Sequence, residues 1–151
     1  EHSNLAEVIH EALNIVYDDG YGGFHPVLHL QHDLPAVQCN RTQVRKVLVN
    51  LFRNAVEAMR TVDSPTLSIT TQVQTVNEKN VAIVIVQDNG PGLDQIAIKR
   101  IFEPFFTTKP SGIGMGLVIS RALIEANGGQ LWVDFDAKPG AKFLFTLPFV
   151  T

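Results

Sequence analysis

Six apolar residues in a row, Val81-Ala82-Ile83-Val84-Ile85-Val86, run directly into Gln87-Asp88-Asn89-Gly90-Pro91-Gly92. A short, β-branched run bounded by turn residues reads as a central strand buried on both faces. It constrains the rest of the chain, because such a strand needs other strands beside it and other layers over it. It also delivers a carboxylate, Asp88, to the end of a buried strand, where it needs hydrogen-bond donors. One core satisfies these demands, and 151 residues are enough for a single domain over 1–151.

The flanking elements follow from caps and periodicity. Asn4 is placed to cap a helix, with Glu7 in the capping-box position. Leu5, Val8, Ile9, Ala12, Leu13 and Val16 then recur at helical spacing, and Asp18-Asp19-Gly20 ends the run. Val27 to Gln31 alternates as a strand, and Val37 to Cys39 is a second, short one. Asn40, with Gln43, caps a long helix reaching about Arg60. Thr66 to Val73 reads as a half-exposed strand with Leu67, Ile69 and Val73 on one face, and Asn77 to Asn80 as a polar turn. A short helix near 94–101 precedes a loop rich in Thr, Pro and Gly. Met115 to Asn127 reads as a helix closed by Gly128-Gly129. Gln130 to Phe135 and Lys142 to Phe149 are the last strands, joined through Pro139-Gly140. Neighbouring strand pairs imply antiparallel pairing. The fold class expected is α+β, a two-layer α/β sandwich: one mixed sheet with helices on one face.

Composition narrows the function. With 12 basic against 15 acidic residues the net charge is −3. No basic block marks a nucleic-acid surface, so nucleic acid is not an expected partner. An anionic ligand has to be held locally, by backbone amides, a metal or a few cations. No segment has the roughly 18 consecutive apolar residues of a membrane helix, so no direct membrane contact is expected. Cys39 is the single cysteine, which fits a reducing setting and a buried small side chain. The first residues, Glu1-His2-Ser3-Asn4, carry neither the basic region nor the apolar core of a secretory leader. The chain does not begin with Met, so it is expected to be a piece of a longer protein.

Three segments carry chemistry. On the helix from Arg41, residues Val44, Val47, Leu48, Leu51, Phe52, Ala55 and Met59 share one face at about 100° per residue. Gln43, Lys46, Asn50, Arg53, Asn54 and Glu57 share the other. That second stripe reads either as a solvated face or as one whose Asn50 and Asn54 amide oxygens, hard neutral ligands, serve Mg²⁺ beside phosphates. Asp88 either bonds its own turn or accepts an exocyclic amine such as that of adenine, with the glycines letting backbone approach a flat ring. Gly112-Ile113-Gly114-Met115-Gly116-Leu117 opens a helix and either presents amides to an anion or serves as a hinge. No strand precedes it and no Lys-Ser/Thr follows it, so it is neither a dinucleotide fingerprint nor a P-loop.

Together these segments resemble the catalytic ATP-binding domain of bacterial sensor histidine kinases, in the GHKL (Bergerat) superfamily. Asn50-Leu51-Phe52-Arg53-Asn54-Ala55 is similar to the N box, and Asp88-Asn89-Gly90-Pro91-Gly92 to the G1 box. Phe102-Glu103-Pro104-Phe105-Phe106-Thr107-Thr108-Lys109 is similar to the F box, and Gly112 to Leu117 to the G2 box. The Phe-Phe-Thr-Thr-Lys form resembles the nitrogen-regulation and rhizobial oxygen-sensor subgroup. The likeness runs from about Asn4 to Pro148. It implies that Asp88 accepts the adenine amino group and that Gly92 closes over the base. Asn54 would hold Mg²⁺ between the phosphates with Asn50 beside it, the pair forming the catalytic and metal set. Residues 93–114 would be a mobile ATP lid, with Gly112, Gly114 and Gly116 along the phosphates and Lys109 near the γ-phosphate. Ala58, Gly90, Met115 and Leu117 complete the implied nucleotide contacts, and Glu57 lies at the pocket edge.

Two departures sharpen the expectation. Hydrolytic relatives of this superfamily carry a glutamate base one turn before the magnesium asparagine; here that residue is Asn50. The family's phosphoacceptor is a His-Glu motif followed by proline in a helical hairpin. His10-Glu11 is the only His-Glu pair, Ile15 stands where the proline belongs, and His10 is read as a surface histidine. His2, His25, His29 and His32 lie in no motif and at no metal-site spacing. The resemblance therefore implies ATP and Mg²⁺ as ligands, and γ-phosphoryl transfer to a histidine on a separate dimerization domain of the same protein. Phosphoacceptor and sensor domains would lie outside this chain. A response regulator would act downstream in two-component signalling. The setting would be cytoplasmic, including the cytoplasmic part of a membrane sensor, the parent a homodimer and this fragment a monomer. The alternatives are an ATPase of the same fold and a non-catalytic nucleotide-binding regulatory module.

Overall fold

The computed structural model describes residues 1–93, 99–103, 116–134 and 136–151. Element order is β1 (His2–Ser3), α1 (Leu5–Asp18), β2 (His25–Leu30), β3 (Val37–Gln38), α2 (Arg41–Ala58), β4 (Thr66–Val76) and β5 (Lys79–Gln87). α3 (Gly116–Ala126), β6 (Leu131–Asp134) and β7 (Lys142–Pro148) follow. Five strands form one sheet in the order β2-β4-β5-β7-β6, and β1 and β3 make a separate two-stranded ribbon. The sheet is mixed: β2 runs parallel to β4, and every other neighbour pair in it is antiparallel.

Local chemistry sets the helix ends where the caps predict. The Asn4 Oδ1 accepts from the Glu7 amide at 3.2 Å, and the Asn40 Oδ1 from the Gln43 amide at 3.0 Å. At the end of α3, Gly128 takes a φ of +84°. The Gly129 amide then donates to Ile124 O and the Gly128 amide to Glu125 O, a Schellman closure. Gly129 packs directly on the Thr146 carbonyl, where a side-chain carbon would overlap it.

The core lies between the helices and one face of the sheet. Leu67, Ile69, Ala82, Val84, Val86, Phe145 and Leu147 are almost fully buried, and they join Val8, Ile9, Val44, Leu48, Phe52 and Ile124 in one cluster. Ile83 and Leu144 point to the opposite face; both are buried, yet neither belongs to that cluster. The strand expected to be buried on both faces is thus covered by helices on one, and Ile85 stays half-buried.

Other expectations shift for tertiary reasons. β2 starts at His25 rather than Val27, and its parallel pairing with β4 is what makes the sheet mixed, as expected, because β3 and α2 intervene and return the chain in the same direction. The ribbon strand His2–Ser3, with no sequence signal of its own, forms by pairing with β3. β4 and β5 run three residues beyond the expected end of the first and two before the expected start of the second. They meet in a two-residue turn at Asn77 and Glu78, both at positive φ. Val73, placed on one face with Leu67 and Ile69, is 37% exposed, whereas Thr71 is buried. α2 ends at Ala58, and Phe149 lies beyond β7 as a bridge to Val37. Much of the short helix expected over 94–101, most of the lid, Met115 and Phe135 lie outside the described residues. Among the described residues no helix is long and apolar enough to cross a membrane.

α1 and α2 are clamped by an ion cluster. The Arg41 guanidinium reaches both carboxylate oxygens of Glu11, at 3.1 and 2.8 Å, and Arg45 stands 3.6 Å away. The hydrogen bond from Arg41, with the Arg41 and Arg45 charges and against some desolvation, holds the Glu11 carboxyl below the usual range. A depressed carboxyl stabilises the fold above its unfolded pKa, about 4.3 for Glu, and loses that contribution as pH falls through the folded value. Urea unfolding of Glu11→Gln against the parent is expected to show a stability gap near pH 7 that closes as the pH drops below about 4.

Candidate functional site

The end of β5 behaves as its burial demands. Asp88 is 4% exposed. Its Oδ1 accepts the Gly90 amide at 2.9 Å and the Ala141 amide at 3.2 Å. Its own amide donates to Ala141 O at 3.1 Å. Burial pushes the carboxyl above its usual range, and the two backbone donors reduce that rise without cancelling it. The bond to Gly90 is the turn expected of an aspartate in a tight loop. Oδ2 accepts no hydrogen bond among the described residues, so one carboxylate oxygen remains for another donor.

The loop is pinned from several sides. Asn89 Oδ1 accepts from the Thr66 amide at 3.0 Å, and its Nδ2 donates to Ser64 O at 2.9 Å. A side-chain carbon on Gly90 would lie 2.6 Å from Ala58 O, so a glycine lets the loop touch the end of α2. Gly140, at φ +72°, sits against the carbonyl and carboxylate of Asp88, where a methyl group would overlap both. A cavity of about 600 Å³ opens between residues 90–93 and 137–141, with Val133 and Asp134 at its wall.

The polar stripe of α2 meets the start of α3. Asn50 is half-buried, and its Nδ2 donates to Ser120 Oγ at 3.0 Å. Asn50 Oδ1 lies 2.7 Å from where a Gly116 side-chain carbon would be. Asn54 is half-buried one turn on, and Ala58 is exposed at the helix end. Glu57, expected at the pocket edge, accepts the Tyr21 hydroxyl at 3.1 Å. That hydrogen bond pushes the Tyr21 phenol up. Arg53 pairs with Asp19 and lies over the Tyr21 ring, which draws its guanidinium toward the α1–β2 loop. A second cavity, about 360 Å³, is lined by Asn50, Gly116, Ser120 and the cations Arg45, Lys46 and Arg53.

The structure thus brings Asp88, Gly90 and Ala58 together, and Asn50 together with Gly116. Gly92, at φ +83°, faces the Gly140 carbonyl, and Leu117 is half-buried against the core. Lys109, Gly112, Gly114 and Met115 lie outside the described residues. Sequence reasoning missed Ala141 and Ser120 and read Gly140 only as a strand connector. Ala141 and Ser120 act through one amide or one hydroxyl, for which no local pattern exists. A glycine beside proline between two strands was the one signal available for Gly140. Gly140→Ala is expected to lose more than about 2 kcal/mol in denaturant unfolding, from overlap and a left-handed backbone. Gly23→Ala, with open space around it, should stay within about 0.5 kcal/mol.

Comparison with known proteins agrees with this geometry. The family described as histidine kinase-, DNA gyrase B- and HSP90-like ATPase matches residues 39–151. The sensor protein TdiS of Thauera aromatica is 38% identical over 146 residues, 96% of this chain and 27% of its own length. The sensor protein FixL of Bradyrhizobium diazoefficiens is 46% identical over 112 residues, 74% of this chain and 22% of its own. The chain therefore spans about a quarter of these two relatives. The solved catalytic domain of the histidine kinase ThkA superposes with a TM-score of 0.82 at 31% identity, covering 99% of this chain and 95% of that one. The chain belongs to the histidine kinase-, DNA gyrase B- and HSP90-like ATPase family and is similar over its length to the catalytic domain of a histidine kinase.

Proposed function

We propose that this domain holds Mg²⁺-ATP and presents its γ-phosphate to a histidine on a separate helical domain of the same, homodimeric protein. A response regulator would then act downstream. The fragment itself would be a monomer, in a cytoplasmic setting. The observation that carries the reading is the half-used carboxylate of Asp88. Oδ1 is saturated by two backbone amides, so the side chain cannot rotate away, and Oδ2 is left to accept the adenine amine. Gly90 and Gly92 would let backbone approach the ring.

The α2 stripe fits the metal. Asn50 and Asn54 offer neutral amide oxygens of the kind Mg²⁺ accepts beside phosphates, and Ala58 is small where α2 meets the Asp88 loop. Gly116 and Leu117 at the start of α3, with Lys109, Gly112, Gly114 and Met115, would line the phosphates. ATP, when bound, supplies the phosphoryl group, and the chain's own work is positioning and charge neutralisation. Asn50 also argues for transfer over hydrolysis, since an amide cannot take a proton from water.

Two measurements test this. Asp88→Asn places a donor opposite the adenine amine and is expected to weaken ATP binding by about 2–3 kcal/mol in calorimetry; parent-like affinity would remove the adenine assignment. The chain alone, given labelled ATP, is expected to release phosphate at a negligible rate and to acquire no acid-labile label, because general base catalysis worth roughly 10² to 10⁴ is missing. Steady phosphate release would favour an ATPase instead, and label on His10 would mean that the acceptor lies in α1.

A further inference from the structure

Ser120 is a polar residue buried to 2% exposure in α3, one turn before the fully buried Ile124. Nothing in the helix requires a hydroxyl there, since alanine would serve α3 better. Its partner is the Asn50 Nδ2, at 3.0 Å. A carboxamide has two unlike ends: the oxygen ligates a cation, and the NH2 cannot. A lone asparagine beside a metal can therefore turn the wrong end toward it.

We propose that Ser120 is a positioning residue that takes the Asn50 NH2 group, so that the Asn50 oxygen is the end presented toward Mg²⁺ and the phosphates. The proposal rests on reading Asn50 as part of the metal and phosphate site. Three features of the structure support it. Asn50 Oδ1 has no hydrogen bond among the described residues, so it is the unused end. Gly116 makes room for it, since a side-chain carbon there would stand 2.7 Å from Oδ1. The oxygen also lies by the first residue of α3, where the positive end of the helix dipole favours it over an NH2 group. The spacing between the two side chains is held from elsewhere as well. Asn127 Nδ2 donates to Gln43 Oε1 at 2.9 Å, and Asn127 Oδ1 accepts from the Asn40 amide at 2.7 Å. Those bonds tie the far end of α3 to the start of α2.

The test is the ratio of ATP affinity with Mg²⁺ to that in EDTA, measured by calorimetry on the chain itself. A merely structural change moves both arms together and leaves the ratio alone. Ser120→Ala is expected to lower the ratio about three- to tenfold, the range of one hydrogen bond, with the EDTA affinity within about twofold of the parent. Asn50→Ala should lower it at least as far, and the double variant no further than Asn50→Ala, because Ser120 acts only through Asn50. Ser120→Thr keeps an oxygen on the same Cβ and should hold the parent ratio. A responsive Asn50→Ala with an unchanged ratio in Ser120→Ala overturns the proposal alone. So does an effect that adds to that of Asn50→Ala, or a threonine variant that falls with the alanine. An unchanged ratio in Asn50→Ala itself overturns the Asn50 assignment, and the role of Ser120 with it.

Discussion

One carboxylate oxygen joins the end of β5 and its loop to a segment 53 residues further along the chain. Asp88 Oδ1 receives the amides of Gly90 and Ala141, so the end of β5, the loop after it and the turn entering β7 meet at a single atom. A buried, unpaired carboxylate would cost several kcal/mol. The two amides offset that cost and fix the side chain, and Oδ2 accepts no hydrogen bond among the described residues. The apolar strand β5 is what makes this work. It carries the carboxylate into a dry place, where a hydrogen bond is strong and a missing one is expensive.

The rest of the site repeats the same device, in which close approach is made possible by a missing side chain. Gly90 touches the last carbonyl of α2, Gly140 covers Asp88, and Gly116 leaves room for Asn50. α2 takes part in two of these contacts, through Ala58 and Asn50. Its apolar face is locked into the core and its polar face lines the second cavity through Lys46, Asn50 and Arg53, with Arg53 and Glu57 drawn toward the α1–β2 loop by Asp19 and Tyr21. A net-acidic chain can hold an anion in this way, because local backbone amides rather than net charge can supply the attraction.

Much of this was legible in the residues. Asn4, Asn40 and Gly128 mark helix ends because capping is chemistry within one turn. The alternation from Val27 to Gln31 marks a strand because side chains alternate whatever lies beside them. The four boxes pointed to the right family because their chemistry needs particular residue types at short spacings. Less was legible where partners are distant. His2–Ser3 is a strand only because β3 lies next to it, β2 joins β4 in parallel only after β3 and α2 intervene, and Val73 is exposed where β4 has run past the end of β2.

The sequence by itself determined the elements, the apolar faces, the caps and the residue types able to hold a nucleotide, since each depends on neighbours within a turn or a strand. Only the tertiary structure decided which carboxylate oxygen of Asp88 is used and which is left, that Ala141 supplies the second donor, and that Ser120 takes one end of Asn50. Those outcomes rest on hydrogen bonds spanning 53 residues between Asp88 and Ala141 and 70 between Asn50 and Ser120. A hydrogen bond depends on ångström-scale distance and on direction, and neither exists until the sheet and helices have closed around it.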